Sequence, residues 1–186
     1  MWFPVDGERR LKEHPLHIRV EVPASLRPFL NEGSLAASAD ILGQTLEVVD
    51  AVEMPGYSDG VLNVRLVARD EVVDEGGGGL RTANSNEDGT FWVCLPAMER
   101  LWDAIGWRFP DLTREAALVN KVTFAVKHEL FVHLLGLGVE SRRAIFRMDE
   151  YSATGFLDSA DPQDTFYDRP RELRPDHPYI LWRHQW

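Results

Sequence analysis

Three ionisable residues, His128, Glu129 and His133, lie within the strongly apolar stretch 122–138. Burial of such groups among apolar side chains is costly unless each one is hydrogen-bonded, paired or bound to a metal. Glu129 and His133 are four residues apart, which places them on one face of a helix and allows a simple hydrogen-bonded pair. Histidine nitrogens and carboxylate oxygens are also ligands that Zn²⁺ takes in proteins. The stretch therefore carries either a structural polar pair or a metal site.

The spacing of the two histidines decides whether both can reach one metal ion. Two histidines that bind one zinc from the same helix are four residues apart in the familiar motif, whereas His128 and His133 are five apart. On a regular α-helix this spacing separates them by about 140° around the axis. A π-turn of about 4.4 residues, placed across Glu129–Val132, would bring them to within about 50°. Partial unwinding before Gly136 and Gly138 would have the same effect. We predict one of these two distortions if the site binds a metal.

The segment 128–137, HELFVHLLGL, resembles the active-site helix of the zincin metallopeptidases with one residue inserted. It is also similar to His-Glu-x-x-x-His-x-x-Leu variants in zincin-like domains of phage and mobile-element proteins. The resemblance is confined to this part of the chain. It implies that His128 and His133 bind zinc, and that Glu129 is the general base that activates a zinc-bound water.

A catalytic zinc usually has three protein ligands and one open position, so a third ligand is needed. The resemblance places this ligand downstream of the helix, at a position that differs between zincin classes. Glu150, seventeen residues after His133, ranks first. The remaining candidates, in descending order, are Glu140, then Asp158 and Asp161, and finally His177.

Composition narrows the classes of function. The chain has 186 residues with 30 acidic against 20 basic side chains, a net charge of −10, which argues against nucleic acid and anionic membranes as partners. A single cysteine, Cys94, excludes an internal disulfide and a four-cysteine zinc site. The sequence shows neither a signal peptide nor an apolar run of about 18 residues, so we expect a cytoplasmic protein, with signal-less export as the alternative.

Hydrophobic periodicity predicts the elements around the site. Residues 1–15 are expected to be irregular, and 75–79 to form a glycine-rich loop. The zincin resemblance assigns residues 90–95 to the strand that edges the cleft and pairs with extended substrate. Strands are predicted at 16–22, 46–54, 61–68 and 90–95, the second and third being paired through the turn at 55–60. Helices are predicted at 97–107, 114–135 and 139–157, the second of them capped by Thr113 and ended by Gly136 and Gly138.

Together these elements predict an α+β fold, in which a small, twisted, mostly antiparallel sheet packs on a long central helix. Residues 1–157 would form one zincin-like domain. Residues 158–186 would form an extended tail, rich in proline and aromatic residues, that packs on the domain or on a protein partner. The zincin resemblance implies a zinc-dependent hydrolase, a metallopeptidase acting on a peptide or protein substrate. The alternative is a non-catalytic acidic binding or inhibitor protein, a degenerate zincin that acts through its surface and its tail.

Overall fold

The computed structural model describes residues 7–50, 60–74, 80–85, 90–108, 110, 112–137 and 145. The helices are α1 (Gly7–Glu13), α2 (Glu32–Ile41), α3 (Leu95–Ile105) and α4 (Arg114–Lys127), with short 3₁₀ turns at Arg27–Phe29 and Gly106–Arg108. A π-helical segment, His128–Leu134, continues α4. The strands are β1 (His17–Val22), β2 (Thr45–Asp50), β3 (Val61–Ala68), β4 (Val73–Asp74), β5 (Leu80–Arg81), β6 (Ala83–Ser85) and β7 (Thr90–Val93). The expectation of an irregular segment at 1–15 is wrong where the chain is described, because Gly7–Glu13 is helical.

The α+β class is confirmed, but the sheet is mixed and not mostly antiparallel. Its order is β2-β1-β3-β7-β6. Among the described residues, the pairs β1–β2, β1–β3 and β3–β7 are parallel, and β6–β7 is antiparallel. The predicted pairing of the second and third strands is also wrong, because β1 lies between β2 and β3. A separate antiparallel pair joins β4 to β5.

Polar and apolar residues alternate along β1 and β3 because the hydrophobic core covers one face of the sheet and the other face carries ion pairs. Ile18 and Val20 of β1 and Leu62 and Val64 of β3 enter one core cluster with buried residues of α2, α4 and the π-helical segment. The opposite face carries ion pairs, such as Arg65 Nε with Glu21 Oε2 at 2.9 Å and His17 Nε2 with Glu47 Oε1 at 3.3 Å. Such alternation is typical of antiparallel sheets, which often face water on one side, and so it pointed to the wrong strand direction.

Helix α4 is the central helix predicted from the sequence. The Thr113 hydroxyl caps its first turn by accepting a hydrogen bond from the Ala116 N–H at 3.2 Å. Near its middle, the Thr123 hydroxyl accepts a hydrogen bond from the Asn31 N–H at 2.9 Å, and Asn31 is the N-cap of α2. From Lys121 to Lys127 every residue of α4 is buried. The end of α4 is therefore fixed inside the fold before the chain reaches the ionisable residues.

Candidate metal centre

The chain changes helical type at the first histidine. Residues His128–Leu134 form a π-helix, whose hydrogen bonds span five residues instead of four. Just beyond the segment, the Leu135 N–H donates to the Leu130 carbonyl at 2.9 Å, which is the same five-residue spacing. The predicted π-turn is thus confirmed, and it extends over more residues than the expected bulge at 129–132.

The π-helical segment ends in a glycine turn. Gly136 has φ +61°, the left-handed conformation that glycine adopts without steric cost. The Leu137 N–H donates to the Phe131 carbonyl six residues earlier, at 3.1 Å, which is one residue longer than the closing bond of an α-helix that ends in a left-handed glycine. Leu130, Phe131 and Leu134 are buried in the main core cluster. Core packing and the glycine turn together hold the segment in its π-helical register.

The two histidines converge. The Nε2 atoms of His128 and His133 are 2.8 Å apart, and the ring centroids are 4.5 Å apart with an angle of 75° between the planes. At this distance one imidazole donates its N–H to the lone pair of the other. His128 is half-buried and His133 is exposed, so the shared point lies where the core meets solvent.

Glu129 adds a carboxylate to the same group. Its side chain is only 6% exposed. One ligand atom from each of His128, Glu129 and His133 lies within 4.8 Å of the others, and these three residues form a group that could hold a metal ion. Sequence reasoning had paired Glu129 with His133 on one helix face as the structural alternative, whereas the structure brings His128 to His133.

The donor set fits a divalent metal with a small adjustment. Tetrahedral zinc at about 2.0–2.1 Å from two imidazole nitrogens requires those nitrogens to be about 3.3 Å apart. The two Nε2 atoms are 2.8 Å apart. A shift of a few tenths of an ångström at the tip of the exposed His133 ring would open this distance, and His128 and His133 would then hold a metal ion in place of the shared proton.

Phe124 is a neighbour of the site that was not singled out from the sequence. Its ring stacks on the His128 ring with centroids 5.9 Å apart and 17° between the planes. The contact could have been predicted from the sequence, since residues 124 and 128 are four apart and therefore adjacent on an α-helix.

The third metal ligand predicted from the sequence falls outside the described residues. This applies to Glu150, and equally to the other candidates Glu140, Asp158, Asp161 and His177. The predicted helix at 139–157 and the tail 158–186 lie outside them too, except for Ile145, which is helical and buried.

The strand beside the site is not the one predicted. Residues 90–95 were expected to edge the cleft, but β7 is paired on both sides, with β3 and with β6. Its backbone groups are therefore already engaged. Strand β6 is the last strand of the sheet in the described part of the chain, and it lies against the π-helical segment. The edge beside the site is thus Ala83–Ser85.

Cys94 is buried, and its Sγ lies 3.5 Å from the Glu71 carbonyl oxygen. Within the described ranges, no helix has the length and apolar character required to cross a bilayer.

Comparisons of the chain with protein-family models, with curated proteins and with solved structures gave no match.

Proposed function

We propose that the protein is a zinc-dependent hydrolase of the metallopeptidase type, with its active centre at the π-helical segment. One observation carries the proposal: the Nε2 atoms of His128 and His133 converge to 2.8 Å beside the buried carboxylate of Glu129. In a regular α-helix the two histidines would point about 140° apart. A rare helical form therefore joins three metal-ligating or proton-accepting groups at one point, and such distortions are frequent at functional sites.

Zinc is the metal favoured by the donor set. Imidazole nitrogens with a carboxylate suit Zn²⁺, and two histidines with one glutamate form a known catalytic ligand set. In the proposal His128 and His133 are ligands, and Glu150 is the third ligand suggested by the sequence. Bound zinc supplies Lewis acidity that polarises a carbonyl and makes water a better nucleophile.

Glu129 is proposed as the general base. Its carboxylate is buried and lies within 4.8 Å of the histidine ligand atoms, close enough to contact a water between them. From this position the carboxylate accepts a proton from the attacking water and returns it to the leaving amine. The Glu129 side chain would then act on the substrate without binding the metal itself.

The edge strand β6 supports a peptide as the substrate. An extended peptide binds an exposed sheet edge through main-chain hydrogen bonds. Strand β6 is the last strand of the sheet in the described part of the chain and lies against the π-helical segment, so a peptide added beside it would run past the two histidines. The zincin resemblance of residues 128–137 points to the same class of substrate.

The test is hydrolysis of a denatured protein or a quenched fluorescent peptide library by the zinc-loaded protein, compared with Glu129→Gln. We expect the variant to bind zinc as the wild type does and to lose about 10²- to 10⁴-fold in rate, because it keeps the shape of the side chain but cannot accept a proton. Glu115→Gln is the matched control, since Glu115 is an exposed acid in the first turn of the same helix. Equal hydrolysis by wild type and Glu129→Gln would contradict the role of the base. Loss of zinc from Glu129→Gln would instead make Glu129 a ligand.

A further inference from the structure

The His128 ring contacts an aromatic side chain as well as the second histidine. Phe124 stacks against it nearly in parallel, with 5.9 Å between the centroids and 17° between the planes. This distance and angle fall in the range of offset-stacked aromatic pairs, which prefer one relative orientation over others. The stack therefore restricts the plane of the His128 ring.

The orientation of the His128 ring decides whether Nε2 or another ring atom faces a bound metal ion. The χ2 torsion of histidine is broad and roughly two-fold, so an unrestrained imidazole turns easily and exchanges the positions of its two edges. In the structure the Nε2 atom of His128 points at the Nε2 atom of His133. A ring turned away from this orientation would leave His133 without its partner ligand.

Phe124 is itself held firmly. It is only 1% exposed and belongs to the main core cluster. It lies in the regular part of α4, where side chains lean toward the N-terminus of the helix, so the His128 ring leans back over it. The three rings follow one another from the buried Phe124 through the half-buried His128 to the exposed His133.

We propose that Phe124 is a positioning residue that sets the orientation of the His128 ring for metal binding, an inference that rests on the metal centre proposed above. Metal-binding histidines are usually oriented by a hydrogen-bond partner, whose loss typically weakens metal binding by about 10- to 100-fold, and a stacked ring that fixes the same orientation should contribute at the lower end of this range. The effect of Phe124 acts through His128 and needs no contact with the metal.

The test compares Phe124→Met with Phe91→Met. Methionine nearly conserves the volume of the side chain and removes the ring. Phe91 of β7 is also 1% exposed in the same core cluster, but it lies outside the helix that carries the site. Zinc affinity is measured by competition with a chromophoric chelator, and the site geometry by the visible d–d absorption of the Co²⁺-loaded protein.

We expect Phe124→Met to bind zinc about tenfold more weakly and to change the Co²⁺ spectrum, whereas Phe91→Met keeps both at the wild-type value while losing comparable stability. Wild-type affinity and an unchanged spectrum in Phe124→Met would overturn the inference and leave the metal centre standing. Equal weakening in both variants would also overturn it. Absence of metal from the wild type would overturn the proposed function itself.

A measurement on the wild type keeps the inference testable if Phe124→Met does not fold. Rings stacked at this distance bring their protons close enough for nuclear Overhauser contacts. We expect such contacts between the carbon-bound protons of His128 and the ring protons of Phe124, whose ring centroids are 5.9 Å apart. Their absence would contradict the proposed stack.

Discussion

Deletion of one residue from the π-helical segment tests whether the π-turn serves to absorb one extra residue between the two histidines. Val132 is the residue to delete, because it is only partly buried at the edge of the core, whereas Leu130 and Phe131 are fully buried. The deletion leaves the two histidines four residues apart, which on an α-helix corresponds to about 40° around the axis and about 6 Å along it. We therefore expect the shortened segment to become α-helical and to keep both histidines on one face.

The expected magnitudes are small. Loss of the partly buried valine side chain costs roughly 1 kcal/mol. Conversion of the rare π-helical hydrogen-bond pattern to the common α-helical one offsets some of this cost. The free energy of unfolding in urea should therefore change by less than about 2 kcal/mol. Zinc affinity should stay within about tenfold of the wild type, equivalent to about 1.4 kcal/mol.

The control is Val132→Ala, which removes most of the same side chain and keeps the number of residues. It should retain the π-helix and the zinc affinity, with a loss of stability of about 1 kcal/mol. Both proteins are titrated with zinc against a chromophoric chelator. The refuting result is a deletion variant that folds but no longer binds zinc, while Val132→Ala still binds it. The π-turn would then not serve to absorb one extra residue between the ligands.

Three substitutions test the elements that position the site, each by urea unfolding. Gly106→Ala should lower the free energy of unfolding by about 1–3 kcal/mol, because the added Cβ would lie 2.5 Å from Trp102 Cε2. A variant as stable as the wild type would show that the Trp102 ring moves freely. Thr113→Ala should cost about 1 kcal/mol by removing the cap of α4, and Thr113→Ser should restore most of it. Gly136→Ala should lower the free energy of unfolding by about 1–2 kcal/mol, because Gly136 has φ +61°. Gly136→Asn should lower it less, since asparagine tolerates this conformation better. Equal losses in the two variants would argue against the left-handed turn.

The central helix and its distortion could be predicted from the sequence because their causes are local. Thr113 and Gly136 mark the two ends through capping chemistry, and the five-residue spacing of His128 and His133 requires a π-turn if the rings are to meet. These inferences use only neighbouring residues and the geometry of one helix.

Strand direction could not be predicted, because it depends on which segments meet across the sheet. Residues 61–68 alternate in polarity whether β3 runs parallel or antiparallel to its neighbour, since alternation reports only that one face is covered. The apolar run at 90–95 likewise shows that β7 is buried, but not that β6 covers its free edge. The choice of Glu150 as third ligand needs contacts over a long sequence separation, which no local pattern supplies.

The most direct test of the metal centre is the metal content of protein purified without chelator, measured by elemental analysis beside a His128→Ala/His133→Ala double variant. We predict about one zinc per chain in the wild type, in keeping with a single site, and its loss from the double variant. A wild type that holds no metal even after zinc is added, or a double variant that retains it, would contradict a metal centre at His128 and His133.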